Sequence, residues 1–138
     1  MKQFLTSVLL VLLLSMALGF AIHGVLLKND YAGIPTLMRG PEDAQRHFPV
    51  MIAAHLLAAI GLTAIYRYGR EAGRPWFGQG VRFGIWFAVA SCIPGFLIYY
   101  AVEPMPRILV EKQIGLETAA TILIGIALAR VNKQPPLV

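Results

Sequence analysis

Residues Tyr66 to Phe83 read YRYGREAGRPWFGQGVRF, four arginines and a single acid between two long apolar runs. Arg67, Arg70, Arg74 and Arg82 make a short positive connection of the kind held on the cytoplasmic face of a membrane. The flanking runs therefore read as one transmembrane helix descending to that face and another returning from it.

Composition supports a membrane chain. Of 138 residues, 57% are hydrophobic and 14% charged, whereas a soluble domain carries about a quarter charged residues. The net charge of +5 raises the question of nucleic acid. Its basic residues lie in the connections between apolar runs and form no continuous patch, so topology accounts for them and no nucleic-acid partner is expected. Cys92 is the only cysteine, which excludes an intramolecular disulfide and a Cys-x-x-Cys redox pair. Inside an apolar run it reads as a small hydrophobe.

Working outward, the run before the connection is Phe48 to Ile65, FPVMIAAHLLAAIGLTAI, rich in the small residues that let helices approach closely in lipid. Tyr66, Tyr68, Trp76 and Phe77 collect at its inner end as an interfacial aromatic belt. The run after it, Phe83 to Val102, is interrupted by Pro94-Gly95, and a bend is expected where proline removes a backbone donor. Tyr99 and Tyr100 mark its other interface. Phe4 to Leu27 holds no formal charge at neutral pH and spans about 36 Å as a helix, read as a retained first span and not a cleaved leader. The last run, Ile114 to Ala129, is short, so its helix is expected to begin near Pro106, and Thr121, Gly125 and Ala129 give it a small-residue face. Pro135-Pro136 stops it. The polar segment Lys28 to His47 is the longest connection, with a helix start predicted at Pro41-Glu42-Asp43.

These readings predict an all-α fold: a single integral-membrane four-helix bundle over residues 1–138, with helices over about residues 4–27, 48–68, 83–103 and 107–131. Lys2, the four arginines, Arg130 and Lys133 lie on one side with Glu71 as its only acid. Lys28, Arg39, Arg46, Arg107 and Lys112 share the other side with the remaining acids. Both termini are accordingly expected in the cytoplasm.

Ionisable residues near hydrocarbon are costly and so carry the functional hypothesis. His23, about 6 Å below the outer end of its helix, and His55, about 10 Å below Phe48, fall in the same half as Tyr99, Glu103 and Glu117. Each also has a plainer reading: the histidines as neutral hydrogen-bonding residues, the tyrosines as interface anchors, and Glu117 as protonated or paired with His23, His55 or Lys112. Together they predict a proton or ligand site, because histidine and carboxylate exchange protons near neutral pH and tyrosine orients a polar solute. No metal or cofactor is expected. The histidines lack metal spacing within a helix, and paired haem ligation from their unequal depths requires tilting. No nucleophilic triad, phosphate loop or His-Glu-x-x-His motif is present.

IHGVLLKNDY, AIYRYG and GVRFGIWFAVASCIPGFLIYYAVEPMP together resemble small uncharacterised four-helix bacterial inner-membrane proteins. The resemblance implies a multi-pass bundle in the inner membrane with both termini inside, and carries no activity. The chain lacks the first-helix glutamate of small multidrug exporters and the Thr-Thr-Phe-Ser pattern of fluoride channels. The first expectation is a bundle acting through helix contacts, as a homo-oligomer or with another membrane protein, in a lipid bilayer. The second is a proton- or cation-coupled small-solute carrier or channel with its polar site in the outer half. An enzyme or electron-transfer subunit ranks third, on the histidines alone.

Overall fold

The fold is that of a computed structural model, in which residues 1–133 are described. The Pro135-Pro136 stop lies outside the described residues. Among the described residues four helices are long and apolar enough to cross a membrane: α1 (Lys2–Leu26), α4 (Phe48–Gly69), α5 (Trp76–Val102) and α6 (Arg107–Val131). Between α1 and α4 lie two short helices, α2 (Lys28–Ala32) and α3 (Pro41–Arg46), with a 3-10 turn over Pro35–Leu37 between them. As its sequence predicts, α3 has Pro41 in its first turn and Glu42 and Asp43 at its positive end, and Gly40 stands at its cap. A break at His47 separates it from α4.

The α5–α6 seam is the most extensive contact in the molecule. Gly80 and Gly84, one four-residue step apart on α5, meet the Thr121-Gly125-Ala129 face of α6. A Cβ added to Gly80 would lie 2.7 Å from both the Gly125 carbonyl oxygen and Ile126 Cα. One on Gly84 would strike Ile122 Cα, and one on Gly125 the Gly80 carbonyl. Only the bare glycines permit this approach. In apolar surroundings, such backbone-to-backbone packing replaces the missing hydrophobic drive between helices.

This seam also explains why α5 begins at Trp76 and not near residue 83 as expected. Gly78, Gly80 and Gly84 weaken intrinsic helix formation and Gln79 and Arg82 interrupt the apolar run. Contact with α6 compensates. The connection left over, residues 70–75, is a tight turn in which Gly73 takes φ 75°, a conformation that suits glycine.

Two of the long helices widen into π turns, at Phe20–Leu26 in α1 and Ala88–Cys92 in α5. The Leu27 N–H bonds the Ile22 carbonyl at 2.8 Å, five residues back. In α5 the wide turn falls immediately before Pro94, where the bend was expected.

Side chains lock the end of the bundle that carries the arginine connection. Buried Asn132 donates to Ser7 Oγ at 2.9 Å and Arg70 donates to the Asn132 carbonyl at 3.1 Å, joining α6 to α1 and α4. Arg130 stands 5.6 Å over the Trp76 ring and Arg67 5.7 Å over Phe4. Glu71 pairs with Arg82 and, at 2.8 Å, with Arg74. The main core runs through Val8, Val11, Ala59, Leu62, Tyr66, Ile124, Leu128 and Ala129.

The opposite half is looser. Along its length α4 packs chiefly on α1 and touches α6 little, and it meets α5 through the Tyr66–Phe83 ring pair at the arginine end. A smaller core of Ile22, Leu27, Leu109 and Ala120 closes the α1–α6 side.

Candidate functional site

A cavity of about 700 Å³ lies among α1, α4, α5 and α6. Its lining is mostly apolar, with His23, His55, Ser15, Cys92, Glu117 and Thr121 as polar exceptions, the Thr121 hydroxyl being turned back onto the Thr118 carbonyl. Both π turns border it, through Phe20, His23 and Gly24 on one side and Cys92 on the other. π turns recur at functional sites because the extra residue re-aims side chains. Here one carries His23.

Three residues of the predicted set meet at this cavity. His23 Nε2 and Glu117 Oε1 are 2.8 Å apart, so α1 supplies the partner that Glu117 was expected to need. His55, on α4, lines the same space and bonds Ser15 Oγ through Nδ1 at 3.0 Å. Lys112, the other partner considered for Glu117, instead pairs with Asp30 at 2.7 Å.

The remaining two, Tyr99 and Glu103, line an adjoining hollow of about 390 Å³ that also contains His23, Tyr31 and Gln113. Both are exposed and make no side-chain hydrogen bond among the described residues. His23 thus stands between the outer hollow and the cavity.

Its other ring nitrogen, Nδ1, is 2.6 Å from the Tyr31 hydroxyl, which accepts from Gln113 Nε2 at 3.0 Å. Sequence reasoning missed Tyr31 and Gln113. The tyrosine sits in a polar connection, and an uncharged glutamine beside Lys112 attracts no notice, although burial of Gln113 to 4% exposure requires a partner.

The directions of these bonds are mutually consistent. With Gln113 donating to Tyr31, the tyrosine proton points to His23 Nδ1, and His23 then carries its own proton on Nε2 and donates it to the Glu117 carboxylate. A proton added at Nδ1 reverses the outer part. His23 then donates to Tyr31, and Tyr31 to the Gln113 carbonyl once that amide turns over. Turning the amide over brings Gln113 Oε1, buried and without a partner in the first arrangement, to accept from Tyr31.

Along α6 the order is Lys112, Gln113, Glu117, Ala120, Thr121, Ile124. Lys112 to Glu117 covers about 7.5 Å of helix. The surface pair Lys112–Asp30, the Tyr31–Gln113 bridge, the His23–Glu117 pair and the cavity thus follow one another inward. The Tyr31 phenol is pushed above its ordinary range mainly by burial, which its bond to Gln113 partly opposes and the nearby Glu117 and Asp30 charges reinforce. It therefore stays a proton-bearing bridge at neutral pH.

Among the described residues no three His, Cys, Asp or Glu side chains converge as a metal site. No protein-family model matches the chain, and no curated protein or solved structure is detectably similar to it.

Proposed function

We propose that this chain is a multi-pass protein of the bacterial inner membrane that carries a small solute coupled to protons, using the polar site in the outer half of its bundle. In this reading the arginine connection and both termini face the cytoplasm, as the distribution of basic residues favours. The observation that carries it is the hydrogen-bond chain Gln113–Tyr31–His23–Glu117, whose outer end neighbours the Asp30–Lys112 pair in sequence and whose inner end lines the cavity. Such a chain has two polarities differing by one proton, and its inner end borders a space large enough for a solute.

Association with a second copy or a membrane partner is the lesser reading. The small-residue face of α6 that suggested it is taken up against Gly80 and Gly84 of the same chain.

Proteoliposomes with an imposed pH gradient test the carrier. Wild-type protein is expected to drive pH-dependent uptake from a panel of small solutes, and Glu117→Gln and His55→Ala proteins to assemble normally but lose it. Full uptake by both variants would end the reading.

A further inference from the structure

The cavity's hydrogen-bonding inventory narrows what it takes. Ser15 Oγ donates to the Leu12 carbonyl at 3.1 Å, so its lone pair accepts from His55 Nδ1. In the tautomer that lets both of these bonds form, His55 carries its proton on Nδ1 and leaves Nε2 as an acceptor with no partner among the described residues. Glu117 engages His23 through Oε1 alone, and its Oε2 likewise accepts no bond among the described residues. In the arrangement where His23 is neutral, the His23–Glu117 pair also holds one net negative charge. In that arrangement the cavity offers two open acceptors and one net negative charge beside an apolar wall that includes Met16, Leu18, Phe20, Met51, Leu62 and Phe87.

A neutral hydrocarbon leaves both acceptors unmet, and an anion is repelled. A hydroxylated ligand satisfies the acceptors without the charge. A quaternary cation satisfies the charge without the acceptors. A primary or secondary ammonium on an apolar body answers all three features, and about 700 Å³ lies within the usual range of small-molecule sites.

We propose that the cavity binds a lipophilic primary or secondary amine in its protonated form and exchanges it for one proton on the His23–Glu117 pair. The inference rests on the carrier reading and names its solute class. The balance is simple: His23 Nδ1 gains a proton, the pair becomes an imidazolium–carboxylate of zero net charge, and one ammonium leaves. The charge held in the cavity is the same before and after. The other titratable or charged groups that face the pair are Tyr31, the Lys112–Asp30 pair, Glu103 and Tyr99 from the outer side, and Cys92 and His55 across the cavity.

The test is equilibrium binding to protein in nanodiscs of zwitterionic lipid, with a radiolabelled phenylalkyl primary amine, the phenylalkyl alcohol of the same shape, and tetraphenylphosphonium as a cation without N–H. The amine is expected to bind at least tenfold more tightly than either comparison probe. Its affinity should rise up to tenfold per pH unit while the pair loses its proton, as one-for-one competition requires. Glu117→Gln should weaken the amine at least tenfold and flatten this pH dependence. His55→Phe should weaken it less and leave the dependence intact. Alcohol binding equal to that of the amine, which needs no variant to observe, overturns the proposal, as does an unchanged pH dependence in folded Glu117→Gln protein. Amine binding as expected but without movement under a pH gradient upholds the ligand class and overturns the carrier. Movement of some other solute without amine binding does the reverse.

Discussion

The two halves of this bundle are built on opposite rules. Around the arginine connection, bare glycines bring α5 and α6 into backbone contact, and Asn132, Arg70 and Ser7 tie three helices at one point. Toward the other end two helices widen into π turns, and a cavity lined by all four long helices lies where the core would continue. Polar groups follow the same division. Near the arginines they fasten helices together, whereas around His23 they form a directional chain that ends on open acceptors. A rigid half can hold the register that a hollow, proton-bearing half needs.

The sharpest way to break this contrast is to add a side chain to the seam. Gly84→Leu puts carbon where the Ile122 and Thr121 backbone lies, and is expected to destabilise by about 3 kcal/mol or more, at the upper end for overpacking. Gly61→Leu, with nothing within 4 Å of its Cβ position, should change stability by about 0.5 kcal/mol at most. Circular-dichroism melts in detergent compare the two, and equal melting would remove the seam as the organising contact.

A smaller loss is expected from Asn132→Ala, about 1 kcal/mol for the bonds to Ser7 and the Leu128 carbonyl. Asp30→Asn, which cuts the exposed pair with Lys112 in the looser half, should fall within about 0.5 kcal/mol. Denaturant unfolding of both variants ranks the halves, and the reverse order would show that the rigid half has been misplaced.

Acid sharpens the comparison further. The Glu71 carboxyl is held below the ordinary glutamate range, chiefly by the Arg82 guanidinium bonded to it and secondarily by Arg74. A lowered carboxyl contributes its stabilisation above the ordinary range and loses it as pH falls through the folded value. Melting temperature should therefore drop on the acid side in wild type and drop less in Glu71→Gln. Identical acid profiles would leave Glu71 without a part in the arginine end.

The smallest effect lies at high pH. Because the folded Tyr31 phenol sits above its ordinary range, its contribution is complete below that range and fades as pH rises through the raised value. A phenolate absorbance titration should show a late phase that Tyr31→Phe removes. Early ionisation of Tyr31 would mean that it is not held in the bridge between Gln113 and His23.

Legibility differed between the site's members for a physical reason. His23, His55 and Glu117 stand out in the sequence because each interrupts an apolar run, where an ionisable group must find a partner. Tyr31, Gln113 and Ser15 do not, since a tyrosine in a polar connection or a serine in a helix carries no such demand on its face. Their roles depend on neighbours remote in sequence: Gln113 is 82 residues from Tyr31, and Ser15 is 40 from His55. The start of α5 was hidden similarly, because its glycines read as weak helix until α6 is laid against them.

The amino-acid order by itself determined four long apolar helices, the positions of their polar connections and the arginine connection on which orientation rests, since each follows from hydrophobic run length and local charge. It also marked His23, His55 and Glu117 as residues in need of partners. Only the tertiary structure decided that the small-residue face of α6 turns inward onto Gly80 and Gly84, that Glu117 takes His23 while Lys112 takes Asp30, and that two π turns frame a cavity. Those outcomes come from which helices approach, how closely, and with which faces. Distances between backbones set them, and a linear pattern of residue types does not contain those distances.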